Sequence, residues 1–197
     1  MMAGVSTRIS LAAHRAGSWL GVDERGTAII EFALILPMLM ILYIGGFEAS
    51  QSISIYRKIS DLTTSLANIS SRDTIYYKSV IDSENAASSQ IMSPYPTSDL
   101  TVTMTELTMD KTTPGKAVVI ANRRLSNGAN TTTRLKNAVL TGLPNSLSAG
   151  TTYILIETSY NYTVKVGANL INPIPTLSDQ LYILPRTGAV SPCPDCD

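Results

Sequence analysis

Histidine, cysteine and net charge are all scarce in this sequence. The one histidine, His14, lies within the first 26 of the 197 residues, which excludes most histidine-dependent catalysis and most zinc sites from the rest of the chain. Charged residues make up 15% and the formal net charge is zero, so no broad field exists to attract nucleic acid as a partner. Hydrophobic residues make up 44%, which is enough for a packed core.

The only two cysteines, Cys193 and Cys196, stand together in "PCPDCD". One C-x-x-C is half of a four-ligand zinc site, and no second half follows. A local disulfide in an oxidising compartment is therefore favoured over metal binding or redox chemistry. Such a bond closes a very small loop and would add little stability.

The motifs of common enzymes are also missing. The sequence has no glycine-rich phosphate loop and no nucleophile elbow. A Ser-His-Asp triad needs a histidine that the body of the chain lacks, and the acidic residues do not have metal-loop spacing. We therefore predict a protein that is not an enzyme and has no catalytic residue, cofactor or metal.

What the sequence does contain is one long apolar run, "AIIEFALILPMLMILYIGGF", from Ala28 to Phe47. Its length of about 20 residues is that of a membrane-spanning helix, and its only charge is Glu31. Three arginines precede it: Arg8, Arg15 and Arg25. The next basic residue is Arg57, so the positive-inside rule predicts a cytoplasmic N-terminus and an exported body.

These features predict a cytoplasmic leader over residues 1–26, a transmembrane helix over 27–47 and an exported domain over 48–197, with a Pro/Cys-containing tail over 185–197. A removable signal peptide is the weaker alternative, because the apolar run exceeds the usual length of 7–15 residues. It would place the mature N-terminus near Gln51. Pro37 lies within the span and should kink it.

The start of the apolar run resembles the type IV prepilin signature. In that signature a charged leader ends in a glycine, and the fifth residue after the cut is a glutamate at the head of an apolar helix. Gly26, Thr27 and Glu31 occupy these positions. The resemblance implies cleavage after Gly26 by a prepilin peptidase. The new amino group of Thr27 would be mostly protonated, and Glu31 would pair with a neighbouring subunit's amine and fix the register between helices.

A closer resemblance is to TadE-like proteins, the pseudopilins of the tight-adherence (Tad, or Flp) pilus system. The stretch "ERGTAIIEFALILPMLMILYIGGFE" matches their N-terminal motif at Arg25, Gly26, Glu31, Phe32, Ala33, Leu36 and Pro37. The resemblance implies that Glu31, Phe32 and Pro37 serve assembly or register. It also implies partners at the inner membrane: the peptidase, other Tad pilins or pseudopilins, and the assembly platform.

Two departures from the pilin pattern refine this expectation. The leader of 26 residues is long for a prepilin, and the chain of 197 residues is far larger than the system's major pilin. The resemblance therefore implies a minor pilin or pseudopilin that assists assembly of an adhesive pilus in a Gram-negative bacterium. The alternative is an uncleaved, membrane-anchored periplasmic scaffold or binding protein of the same machinery.

The segment after the apolar run carries apolar residues at 4-3-4-3 spacing: Ile55, Ile59, Leu62, Leu66 and Ile69. This pattern predicts that the helix continues and presents one apolar stripe. We expect the stripe to pack on the domain's own sheet. An exposed stripe used for pairing with another pseudopilin is the alternative. The sequence from Ser70 to Asp73 predicts a break.

The remaining elements predict an antiparallel sheet. A second helix is expected from Tyr76 to about Met92, followed by a hairpin of strands that start at Leu100 and Lys116, and by a strong strand over 151–167. The order predicts an α+β fold with a pilin-like layout, a long N-terminal helix on a small antiparallel sheet. The end of the chain also resembles the C-terminal part of TadE-like proteins, at Tyr160, Tyr162, Tyr182, Pro185 and Arg186.

Overall fold

The computed structural model describes residues 25–72, 78–126, 128–164 and 176–186. The chain divides into two compact units, Met1–Phe47 and Glu48–Asp197. Within these residues there are two helices, α1 (Arg25–Ser70) and α2 (Lys78–Met92), with a 3-10 turn over Thr97–Asp99. Six strands follow in the same described part of the chain: β1 (Leu100–Met109), β2 (Lys116–Ser126), β3 (Ala129–Thr131), β4 (Val139–Thr141), β5 (Thr152–Tyr160) and β6 (Leu177–Ile183).

The strands form one antiparallel sheet in the order β3-β2-β1-β5-β6, and β4 pairs with the other end of β2. The hairpin of β1 and β2 confirms the prediction from the sequence. The strand expected over 151–167 is shorter than predicted, because β5 ends at Tyr160. Tyr160 pairs with Leu100, the first residue of β1, so beyond it β5 has no ladder partner on that strand.

Helix α1 packs on this sheet and confirms the predicted α+β architecture. Ile55, Ile59, Leu62 and Leu66 are all at most 2% exposed and lie in the main core. This outcome confirms the expectation of packing on the chain's own sheet for these four residues. The hydroxyl oxygens of Thr63 on the helix and Thr158 on β5 lie 2.5 Å apart within the same interface.

The expectation for Ile69 is wrong, since this side chain is 42% exposed. A repeat of 4-3-4-3 averages 3.5 residues, whereas the helix turns every 3.6, so the apolar stripe drifts by about 20° per heptad. By the last turn the buried positions are Ala67 and Ser70. The helix ends at Ser70, as predicted, and the N–H of Ser71 bonds the carbonyl of Ala67 at 3.0 Å.

Helix α2 corresponds to the second predicted helix and is fixed by polar contacts as well as by buried Ile81. The guanidinium of Arg123 on β2 donates to both carboxylate oxygens of Asp82, at 2.8 and 3.1 Å. Ser70 at the end of α1 donates to Glu84 at 3.1 Å. Arg123 is only 5% exposed whereas the Asp82 side chain is 31% exposed, so this ion pair is partly buried and orients α2 on the sheet.

The sheet has a second, smaller core on the face opposite α1. Its buried members are Leu107, Met109, Ala117, Tyr153 and Leu155, covered by Leu140, Leu143 and Leu147. A β-bulge creates this arrangement. The register between β1 and β2 shifts after Glu106, so Glu106 pairs with Ala121 whereas Leu107 pairs with Val119. Ile120 is the extra residue, and the buried side of β2 changes from one face to the other across it.

Candidate functional site

The first candidate site is the apolar part of α1. It is the one helix within the described residues that is long and apolar enough to cross a membrane, with a mean hydropathy of 2.3 over 18 residues. None of that window is buried. Between Ile29 and Leu42, eleven large apolar side chains are more than 40% exposed: Ile29, Ile30, Phe32, Leu34, Ile35, Leu36, Met38, Leu39, Met40, Ile41 and Leu42. Such a surface is not stable in water and suggests membrane anchoring.

The residues at the predicted processing site lie in the first turn of this helix. Helix α1 begins at Arg25, so Gly26 and Thr27 both have helical backbone. A Cβ atom placed on Gly26 would meet no other atom within 4 Å. Packing inside the described chain therefore does not require a glycine at position 26. A requirement for glycine here must come from outside the folded chain or from the backbone itself.

The three residues expected to serve assembly are on the surface of the same helix. Glu31 is exposed, and Phe32 has 60% of its surface exposed. Glu31 follows Thr27 by four residues, so both lie on one face of the helix. Helix α1 continues through Pro37, which has no N–H to donate to the carbonyl of Ala33.

The second candidate site ties helix α1 to the far end of the domain's sequence. Glu48 is only 2% exposed although it carries a carboxyl group. The hydroxyl of Tyr162, just after β5, donates a hydrogen bond to its Oε2 at 2.5 Å. Burial raises the pKa of Tyr162, and the hydrogen bond to Glu48 raises it further, so the tyrosine stays a donor. The sequence marked Tyr162 as part of a resemblance, but nothing in it indicated this partner.

The other residues of the C-terminal resemblance are spread over the domain. Tyr160 is 3% exposed in the main core, and Tyr182 packs against the second core. Pro185 is buried, and the backbone N–H of Arg186 donates to the carbonyl of Ser71 at 2.8 Å. These positions stabilise the domain and do not converge on one site.

A third polar feature lies on the sheet face opposite α1 and was missed by sequence reasoning. Arg134, on the segment between β3 and β4, makes a bidentate ion pair with Glu157 of β5. Its Nη1 also donates to buried Thr105 at 2.8 Å. The hydrogen bond to Glu157 is the largest cause that raises the pKa of Arg134. The ion pair therefore fixes this segment against the middle of the sheet.

Asn122 on β2 also binds the segment between β3 and β4. Its side-chain oxygen accepts hydrogen bonds from the backbone N–H groups of Thr133 and Arg134, both at 2.9 Å. Its Nδ2 donates to Thr105 at 2.8 Å. Asn122 is 3% exposed, so its amide replaces water for two backbone donors that no strand pairing satisfies.

Glu106 on β1 is a further group that sequence reasoning missed. It is 5% exposed, and neither carboxylate oxygen has a hydrogen-bond partner among the described residues. Burial raises its pKa from 4.5 to about 7. It also lines a cavity of about 20 Å³ with Ile81 and Ile154. The sequence did contain a signal for this burial. Glu106 takes the next position in the alternation of apolar Leu100, Val102 and Met104, so it lies on the same face of β1.

Metal chemistry finds no support in the part of the chain that the structure describes. Within it, no three His, Cys, Asp or Glu side chains are close enough to hold a metal ion. The predicted disulfide between Cys193 and Cys196, and the histidine at position 14, fall outside the described residues. The disulfide therefore stays a prediction.

Comparison with known proteins adds one finding. A family model described as "TadE-like protein" matches residues 26–64. No curated protein and no solved structure matches the chain significantly. The matched range begins at Gly26, contains Glu31, Phe32 and Pro37, and ends within the part of α1 that packs on the sheet. Residues 26–64 thus form a TadE-like segment, which confirms the resemblance of this stretch to TadE-like proteins of the Tad pilus system.

Proposed function

We propose that this protein is a minor pilin or pseudopilin that takes part in assembly of a Tad/Flp-type pilus, without enzymatic activity of its own. The observation that carries the proposal is the exposed apolar surface of α1, which begins at Gly26, where the TadE-like match also begins. Isolated apolar side chains are common on protein surfaces, but eleven within one helix need a lipid or a protein environment.

The proposed topology has a cytoplasmic leader over 1–26, an inner-membrane helix over 27–47 and a periplasmic domain from Glu48 onward. The distribution of basic residues supports it, because arginines precede the apolar run and none occurs within it. The change in burial supports the boundary at Glu48. Phe47 is 46% exposed, whereas Glu48 is buried and bonded to Tyr162.

Processing by a prepilin peptidase between Gly26 and Thr27 completes the proposal. The cut would leave Thr27 as a free, protonated amine one helical turn from Glu31. In a bundle, an amine of one subunit and the carboxylate of the next would neutralise each other and set the axial register. A carboxylate that stayed unpaired in the membrane would cost several kcal/mol at the bilayer centre and less near the interface.

The first experiment is N-terminal sequencing and intact-mass measurement of the full-length protein from membranes of cells with and without the peptidase. We expect a mature start at Thr27 only when the peptidase is present. Gly26→Ala should block the cut. Gly46→Ala is the matched control, because a Cβ atom at either glycine meets nothing within 4 Å in the described chain. Starts at Met1 or Met2 in both strains would contradict processing and favour the uncleaved scaffold.

A second experiment separates processing from assembly. Glu31→Gln should leave cleavage intact but reduce the amount of protein recovered with sheared pili or with cross-linked pilin partners. Asp61→Asn is the control, since Asp61 is an exposed acid on the same helix outside the apolar run. Equal recovery of both variants would contradict the proposed role of Glu31 in register.

A further inference from the structure

The sheet face opposite α1 carries two ordered rows of polar side chains next to the second core. The strand register aligns Ser126, Thr101, Ser159 and Ser178 across four strands. The neighbouring row consists of Arg124, Thr103, Glu157 and Gln180. Three members of the first row, Thr101, Ser159 and Ser178, line an open groove of about 750 Å³, and their short hydroxyl side chains form its floor.

One wall of this groove is rigid. Thr133 and Arg134 line it, and both are held by the buried amide of Asn122. Arg134 is neutralised by its bidentate contact with Glu157. The groove is therefore built by residues that have fixed positions before any ligand arrives, which lowers the entropic cost of binding.

Arg124 is the residue that indicates a ligand. It lines the groove, and its Nε is buried without a hydrogen-bond partner among the described residues. No ion pair involving Arg124 occurs in that part of the chain either. A guanidinium offers five N–H donors in a planar fork that suits a carboxylate or a sulfate group. Because the Nε atom itself is closed off from solvent, an anion in the groove would bind to the outer Nη groups of this guanidinium.

We propose that this groove binds an acidic saccharide, with its anionic group on Arg124 and its hydroxyls on the serine and threonine row. A volume of about 750 Å³ falls in the range of small-molecule sites, about 300–1,000 Å³, and is too large for a bare anion. Hydroxyl and amide side chains both donate and accept, which matches the hydroxyls of a sugar. A protein partner is less suited, because the core of a protein interface is apolar and aromatic.

The test uses the full-length chain in nanodiscs of zwitterionic lipid, applied to an array of acidic and neutral glycans. The best acidic ligand is then titrated by calorimetry beside its carboxyl methyl ester and beside sodium sulfate. We expect micromolar to millimolar binding of an acidic glycan, and binding of the ester and of sulfate weaker by about tenfold or more.

Variants assign this binding to the groove. Arg124→Gln should weaken it about 10- to 100-fold, and Arg124→Lys, which keeps the charge, should restore part of it. Thr103→Val, which removes the hydroxyl between Arg124 and Glu157, should cost a few-fold. Arg57→Gln, at an exposed arginine on α1, should change nothing. Circular dichroism establishes that each variant is folded.

Several results would overturn the proposal. These are a lack of binding to every acidic glycan, equal binding of the methyl ester, equal binding of sulfate, or unchanged affinity in both folded Arg124 variants. Loss of co-purifying pilin subunits from Arg124→Gln, with glycan binding intact, would show that the groove contacts a protein. Because these measurements do not depend on cleavage at Gly26, they can fail or succeed separately from the proposed pilin function.

Discussion

The hydroxyl of Tyr162 donates a hydrogen bond to the buried carboxylate of Glu48, across a sequence separation of 114 residues. Glu48 is the first residue of the domain unit, and Tyr162 follows the last residue of β5 by two. The contact thus joins the first residue of the domain unit to the segment that follows β5. Loss of this donor would leave the desolvation cost of the carboxylate in place and remove one of the interactions that offset it.

Tyr162→Phe removes that donor and keeps the ring. We expect the free energy of unfolding to fall by about 1–3 kcal/mol, because Glu48 remains buried. Chemical denaturation of the full-length protein in detergent, followed by circular dichroism, measures this change. Tyr56→Phe is the control, because Tyr56 is 47% exposed and should change stability by less than about 0.5 kcal/mol. Equal effects of the two substitutions would refute the anchoring role of Tyr162.

Glu106 should make the stability of the domain depend on pH. Its pKa is raised from 4.5 to about 7 in the folded state, so between these values the unfolded chain releases a proton that the folded chain retains. The contribution of Glu106 to the free energy of unfolding is therefore highest below pH 4.5. It falls by about 1.4 kcal/mol per pH unit up to pH 7 and then stays level. The total loss is about 3.5 kcal/mol at most.

Glu106→Gln tests this assignment, since glutamine keeps the shape and cannot ionise. We expect the variant to be more stable than the native chain at pH 8 and to lack the fall between pH 4.5 and 7. Denaturation midpoints measured across that range provide the comparison. Asp61→Asn, at an exposed acid, should leave the slope in place. A slope that persists in Glu106→Gln would mean that another group titrates.

Asn122→Ala should loosen the segment that carries Arg134. The substitution leaves the backbone N–H groups of Thr133 and Arg134 without their acceptor, and we expect a loss of about 2–3 kcal/mol. Amide hydrogen exchange should accelerate at these two residues more than elsewhere in the sheet. Asn68→Ala, which removes one exposed hydrogen bond to the preceding turn, is the control and should cost less than about 1 kcal/mol. Unchanged exchange at both residues would contradict the role of Asn122.

Two glycines allow backbone strain to be separated from steric conflict. Gly115 and Gly128 have nearly the same positive φ, 73° and 74°. A Cβ atom on Gly115 would lie 2.9 Å from Asn145 Oδ1 and 3.1 Å from the carbonyl oxygen of Leu143, whereas one on Gly128 meets nothing within 4 Å. Both alanine variants should lose about 1 kcal/mol from the left-handed backbone.

Gly115→Ala should lose at least about 1 kcal/mol more than Gly128→Ala, because the Leu143 carbonyl belongs to the backbone and cannot rotate away. Thermal unfolding of both variants measures the difference. A similar melting temperature for the two would show that the segment around Leu143 shifts freely to admit the methyl group.

The sequence could predict the elements whose local patterns agree with their environment. The stripe from Ile55 to Leu66 and the alternation from Leu100 to Met104 each reflect a single buried face, and both were correctly assigned. The bidentate pair of Asp82 and Arg123 was not predictable, because it joins a helix to a strand 41 residues away. Local periodicity carries no information on such separations.

The candidate sites likewise include residues that the sequence could predict and residues that it could not. Gly26, Glu31 and Pro37 could be singled out because their spacing along one helix is itself the signal, and the family match begins at the first of them. The groove around Arg124 could not, because it depends on the register of four strands. A shift of one residue in any of these strands would move its polar row to the opposite face.

The bulge at Ile120 lets β2 contribute to the cores on both faces of the sheet. In β2 the buried apolar residues Ala117, Val119, Ala121 and Leu125 all have odd numbers, as if they served one face, yet the first pair and the last pair serve opposite faces of the sheet. A straight ladder that kept Ile120 would put all four on one side, whereas deleting Ile120 would give regular alternation with each pair on its present face. Apolar residues at positions of a single parity along β2 thus supply side chains to the cores on both faces of the sheet.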